Sequence, residues 1–360
     1  MEVTVCEIEK PDCWDKELAD YQASIFLSAA WLQSVATSWR VPVYFIFLTD
    51  DQEIARISGL KIIALGGKLK LLFFYSGILP VVRDNGMIEK CSHALLDYAR
   101  EKRISRIIIR SYGDRGIVQS GITAFKTNSR VEYIISMEGE KEMILAGFHR
   151  NARRAVRKAI SAGIKTGITS SPEFVDILFA LLSETRQRRK KRGYGDYNAM
   201  SLPFFTRSTV LYLLKNNKAS LFYAEDQEGI LSLVFVFHHM NESYAVLTGT
   251  TARGYEQDVS AYLLYEIAVA LKEKGYRHLN LGGVPAGKKN AGIVHFKRSL
   301  GTDVIDLCEE STDFLLLPWT LFNPMLILRR NLPDRPFFRL CKKVLRKVME
   351  RILTPDSSIL

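Results

Sequence analysis

The chain has little with which to cross-link itself or hold a metal. Its five cysteines, Cys6, Cys13, Cys91, Cys308 and Cys341, are scattered, with no CxxC pair and no histidine at zinc-ligand spacing. That argues against a disulfide framework or a metal knot and fits a reducing compartment. His238 and His239 are neighbours in a strand-like run and so point to opposite faces, which argues against a two-histidine metal site. Long apolar runs are also missing. LLFFYSGILPVV falls short of the roughly 20 residues a spanning helix needs, and FLLLPWTLFNPMLIL is broken by Pro318 and Pro324. The amino terminus, MEVTVCEIEK, carries acids where a secretory leader carries a basic and then an apolar region, so no export signal is expected and the cytoplasm is the expected location. Negative charge is in deficit: 50 Lys and Arg stand against 39 Asp and Glu, a formal charge of +11. This favours anionic partners such as RNA, phosphorylated small molecules or an acidic membrane surface.

What the chain does have is core. At 360 residues and 47 % hydrophobic content it exceeds the usual span of one core, so two domains are expected. VYFIFLTDDQEIARISGLKII reads as a hairpin turning at Asp50 to Glu53, followed by the helical spacing of EKCSHALLDYAREKRI and the strand RIIIR. The second half repeats that order. ASLFYAEDQEGILSLVFVFHH is a hairpin turning at Glu225 to Glu228, and YLLYEIAVALKEKGYRHLNLGG is a helix leading into a strand. Two copies of one α/β unit are expected. In the second, Asp258 or Ser260 is expected to cap the helix and Gly275 to end it. The next strand ends in Gly282-Gly283, where glycines allow a ligand to approach the backbone closely or simply make a turn.

Between the copies lies GFHRNARRAVRKAISAG. At 100° per residue, Arg150, Arg153, Arg154, Arg157 and Lys158 fall in one arc, with Phe148, Ala152, Ala155 and Ala159 opposite. This is an amphipathic helix with a basic stripe that either binds an anion or is simply solvated. A second basic cluster runs from Arg186 to Arg192. Towards the C-terminus, FFRLCKKVLRKVMERIL sets Phe337, Cys341, Val344, Leu345, Val348 and Ile352 against Arg339, Lys342, Lys343, Arg346 and Lys347. Such a helix either packs on the first domain or lies on an anionic bilayer.

Four segments, FLSAAWLQSV, FHRNARRAVRKAISAGI, ETRQRRKKRGYGDY, and the run from GTTARGYEQDVSAYLLYEIA through NLGG to GIVHFKRSLG, resemble the Fem family of peptidoglycan aminoacyltransferases. The resemblance implies an α/β (α+β) fold of two tandem GNAT-like domains, with mixed central sheets flanked by helices. Its expected layout is an N-terminal domain over 1–145, a basic connecting helix over 146–170, a C-terminal domain with the active site over 171–310, and a tail over 311–360. It implies a transferase that moves an aminoacyl (or acyl) group onto an amine of a phosphorylated cell-envelope or peptidoglycan precursor. The donor would be aminoacyl-tRNA, with no tightly bound cofactor and no metal.

By the same resemblance, Lys297 in HFKRSLG would place a fixed cation near the negative charge that develops during transfer, with Tyr255 the second catalytic candidate. Arg192, Tyr194, Arg253, Phe296, Gly282 and Gly283 would bind substrate, and Arg150, Arg153, Arg154 and Arg157 would bind tRNA or another anion. No general base emerges. Two departures matter. QDVSAY stands where a CoA-dependent enzyme carries a glycine-rich pyrophosphate loop, and bulky Tyr262 is expected to crowd the amides that phosphate needs, which moves the donor away from acyl-CoA. FFYSGILPVV replaces the family's Arg-Gly-Pro element, which loosens the link to one particular acceptor. The competing readings are a CoA-dependent N-acyltransferase acting on a sugar or polysaccharide precursor, and a non-catalytic RNA-binding module.

Overall fold

A computed structural model describes residues 2–9, 13–18, 21, 23–82, 84–115, 120–191, 202–284 and 291–331. The chain forms two compact units: Met1–Ala23, Ala36–Ser129 and Cys308–Leu360 make the first, and Ser24–Val35 and Arg130–Leu307 the second. Among the described residues no helix is long and apolar enough to cross a membrane, and no group of His, Cys, Asp and Glu is arranged to hold a metal ion.

In the first unit, β1 (Thr4–Glu7) and the short helix α1 (Trp14–Glu17) precede the hairpin of β2 (Arg40–Thr49) and β3 (Gln52–Ala64). Then come β4 (Leu69–Phe74), the two-residue β5 (Leu79–Pro80), helix α3 (Asn85–Glu101) and β6 (Arg106–Ile109). The hairpin closes where the sequence places it. Thr49 faces Gln52, and the two residues between them, Asp50 and Asp51, are left-handed with φ of 48° and 61°. A two-residue turn of that hand matches the strand twist, and Asp tolerates it better than most residues. β1, β2, β3 and β4 pair antiparallel in succession, and β6 returns parallel to β4.

The second unit opens with helix α2 (Ala29–Val35) and includes the end of β7 (Phe125–Ser136). Helices α4 (Lys141–Gly147) and α5 (Arg150–Ser161), strand β8 (Lys165–Thr169), and helices α6 (Pro172–Lys191) and α7 (Arg207–Lys215) follow. The hairpin of β9 (Ala219–Asp226) and β10 (Gly229–His239) leads to β11 (Glu242–Thr250), helices α8 (Ala252–Glu256) and α9 (Val259–Glu273), β12 (His278–Gly283) and α10 (Ala291–Ser299). β8, β9, β10 and β11 pair antiparallel, and β12 returns parallel to β11. This is the topology of the first unit, strand for strand, so the repeat is structural. Each copy gains one more antiparallel strand. The end of β7 pairs with β12, and the end of β13 (Asp303–Thr312) pairs with β6. Helix α11 (Asn323–Asn331) follows β13.

The core of the second unit forms where α9 meets α5. Val259, Leu263, Ile267 and Leu271 of α9 are buried with Ala152, Val156 and Ala159 of α5 and with Phe148. A side chain such as Val156, with no exposed surface, contributes about 1.5–3 kcal/mol by burial. Gly275 ends α9 in a left-handed conformation (φ 88°), as the sequence suggests. The start of α9 differs. Asp258 is the residue before the helix, but it is itself left-handed (φ 58°) and its side chain makes no capping bond. Ser260 does not cap either; its hydroxyl pairs with that of Thr250. Capping chemistry falls instead on Thr251, whose hydroxyl accepts from the Gly254 amide at 2.9 Å and so starts α8.

Candidate active site

The returning strand is where the copies diverge. In the first unit the parallel pairing of β4 and β6 runs to Phe74 and Ile109 and then continues, with the Arg110 amide donating to Phe74 and the Tyr112 amide to Tyr75. The Asp114 carboxylate accepts from the Gly77 amide at 3.1 Å and from the Ser76 hydroxyl, which fastens that end shut. In the second unit, β11 and β12 pair only from Glu242 opposite His278 to Tyr244 opposite Asn280, although β11 continues to Thr250. The strands part there, leaving a wedge between the rest of β11 and the end of β12.

Gly282 and Gly283 stand at this parting. On the far edge of β12 the register with β7 slips by one residue between Asn280 and Gly283, a bulge, with Gly282 left-handed at φ 72°. A Cβ on Gly283 would lie 2.7 Å from the Val131 carbonyl oxygen, so only glycine fits.

Below the bulge lies a buried polar network. Glu132, fully buried on β7, accepts from Arg130 at 2.8 Å, from the Tyr244 hydroxyl at 2.7 Å and from the Asn280 amide at 2.7 Å. Asn280 in turn accepts from the Gly282 amide at 2.7 Å. Tyr244 is held edge-on by Phe26, ring centroids 4.9 Å apart, which explains why the FLSAAWLQSV segment packs in this unit.

Lys297 reaches this point from α10. Its Nζ donates to the carbonyl oxygens of Leu281 (2.6 Å), Gly282 (2.8 Å) and Gly283 (3.2 Å), and sits 5.5 Å from the centre of the Tyr133 ring. Three donors meet three acceptors, so the ammonium ties down the whole bulge. Burial lowers its pKa to about 8; Glu132 partly offsets that and Arg130 adds to it. Chemically, the arrangement is a preorganised positive charge in a dry setting beside an open strand end. That suits a reaction in which negative charge develops on a carbonyl oxygen.

The other sequence candidates lie elsewhere. Phe296 packs against the second unit's core beside Lys297. Tyr255, on α8, is exposed, with the Arg188 guanidinium 3.9 Å above its ring. Arg253 is occupied by Asp226, at 2.8 Å, and Glu228 at the hairpin turn. None of these contacts joins Tyr255 or Arg253 to the Lys297 network. Arg150, Arg154 and Arg157 are exposed on α5 and Arg153 is half-buried, with Ala152, Val156 and Ala159 turned inward. Arg192 and Tyr194 lie outside the described residues, as does the helix expected over 337–352. The expectation for Tyr262 is corrected. Its side chain is buried in the core with its hydroxyl towards the Ile164 carbonyl, so its bulk does not cover the start of α9.

Sequence reasoning missed Arg130, Glu132, Tyr244 and Asn280. A signal was present in RVEYIIS, where one acid interrupts an apolar strand, and in HLNLGG, where one amide does the same.

Residues 146–298 match the family model described as an acetyltransferase (GNAT) domain. FemX superposes with a TM-score of 0.69 at 12 % identity, covering 89 % of this chain and 99 % of its own. The fold is Fem-like GNAT. A conserved protein of unknown function from Bacteroides thetaiotaomicron superposes with a TM-score of 0.53 at 11 % identity, over 86 % of this chain and 99 % of its own. L-PGS from Bacillus licheniformis superposes with a TM-score of 0.51 at 16 % identity, over 88 % of this chain and 96 % of its own. No curated protein sequence matches the chain significantly. The GNAT domain matched at 146–298 contains α5, the parted strands and Lys297.

Proposed function

We propose that the protein is an acyltransferase that moves an aminoacyl group onto an amine of a cell-envelope precursor, using the parted end of β11 and β12 as its reaction site. The observation that carries this reading is the buried Lys297 ammonium held at the Gly282-Gly283 bulge. Attack of an amine on an activated carbonyl builds negative charge on the carbonyl oxygen and the leaving group. A fixed cation nearby supplies a rate factor of about 100 to 1,000. With its protons directed at backbone carbonyls, Lys297 acts through its field and by shaping the bulge. The likeness to FemX supports the aminoacyl donor, and the exposed arginines of α5 supply a surface for tRNA. Partners of this kind put the work in the cytoplasm, at the inner face of the membrane.

A CoA-dependent acyltransferase remains the second reading. It is favoured by the matched family's description and by the inward turn of Tyr262, which leaves the α9 amides unobstructed by that side chain. The test is a transfer assay in which labelled aminoacyl-tRNAs and labelled acetyl-CoA are offered in parallel to an extract of envelope precursors. Label moving from tRNA is the expected result. Label moving only from acetyl-CoA would replace the first reading with the second.

A further inference from the structure

From the end of β13 through α11 the first unit presents apolar side chains to solvent on a firmly held scaffold. Leu317 is 75 % exposed, Leu321 72 % and Leu328 55 %, and Phe322, Met325 and Ile327 are also exposed. This is no frayed loop. The Trp319 indole donates to the Lys68 carbonyl at 3.1 Å, and the Asn323 amide accepts from the Phe314 amide at 2.8 Å and donates to the Phe314 carbonyl at 3.0 Å. Leu326 is buried, so α11 turns one residue inward and leaves Met325, Ile327 and Leu328 facing out. A cluster of exposed large aliphatic residues on an ordered segment marks a contact surface.

Charge decides between the candidate occupants. In sequence the apolar face runs straight into Arg329-Arg330, and residues 332–360 hold seven basic against three acidic residues. A second copy of the chain would bring this basic flank against itself. An anionic bilayer answers both features, apolar side chains entering the acyl boundary and basic ones meeting the headgroups. We infer that the apolar face formed by Leu317, Leu321, Phe322, Met325, Ile327 and Leu328 is a docking surface for an anionic lipid membrane. This is separate from the transfer chemistry and would hold whatever donor is used.

The experiment is flotation of the full chain with vesicles of phosphatidylcholine alone and of phosphatidylcholine mixed with phosphatidylglycerol. It compares wild type with the double variant Leu321→Gln/Leu328→Gln, both residues being exposed, and thermal melting checks that the variant folds. Expected are selective binding to the anionic vesicles, weaker binding in high salt, and a fall of about tenfold in the partition of the variant at unchanged melting temperature. The inference is overturned if wild type ignores both vesicles, if it binds them equally, or if the variant floats like wild type. It is likewise overturned if light scattering finds a dimer that the double variant dissociates while vesicle binding is absent.

Discussion

At the scale of single residues, a half-buried histidine of the second unit sets a limit on stability. His238 bonds Ser220 at 3.1 Å and Tyr276 at 3.3 Å. Burial, with Lys274 and Lys218 adding to it, lowers its pKa to about 4. In the unfolded chain a histidine takes up its proton near pH 6.5. Between those values the unfolded state binds the proton and the folded state does not, so the stability this group contributes is present above pH 6.5 and is lost as pH falls to 4. By pH 5 the loss from His238 amounts to at most about 2 kcal/mol. Urea unfolding of His238→Phe at pH 7 and pH 5 should show a smaller acid-side fall than wild type, and an identical fall would refute the assignment. None of this was visible beforehand. The sequence fixes the alternation of His238 and His239, but not which of them is enclosed by lysines brought in from other elements.

At the scale of elements, the site depends on how β12 ends. The bulge needs Gly283 because the space for a Cβ is taken by the Val131 carbonyl oxygen. Gly283→Ala should therefore cost about 1–3 kcal/mol of unfolding free energy and loosen the Lys297 contacts, a cost denaturant melts would register. A variant as stable as wild type would mean that β7 can retreat without loss. Hairpins, the helix-to-strand order and the inward face of α5 were legible because they rest on local periodicity and turn chemistry. The Glu132 network was not. Glu132 and Asn280 are 148 residues apart in sequence, and periodicity assigns a strand its faces without naming its neighbour. The start of α9 was misjudged for a local reason: Asp258, left-handed, does not present its carboxylate to the helix amides.

At the scale of the whole molecule, two copies of one topology have different fates, the first with its strand ends fastened by Asp114 and the second with them parted. The repeat was readable from the order of elements, while the parting depends on side-chain and register detail that no pattern encodes. The formal charge of +11 and the arginines exposed on α5 predict tRNA binding that weakens steeply with salt, by about 0.7 in the logarithmic slope per phosphate contacted. Charge reversal in Arg154→Glu/Arg157→Glu should lower affinity at least about tenfold at low salt and flatten that slope, measured by filter binding. Unchanged affinity would return the stripe to ordinary solvated surface.

That Lys297 supplies the charge transfer needs is tested by single-turnover transfer by Lys297→Met beside wild type, with circular dichroism and thermal melting to verify the fold. Expected are a folded variant whose rate is about 100-fold or more lower, and a wild-type rate that declines as pH rises through about 8, where the ammonium is lost. A folded Lys297→Met that transfers at the wild-type rate would contradict that role.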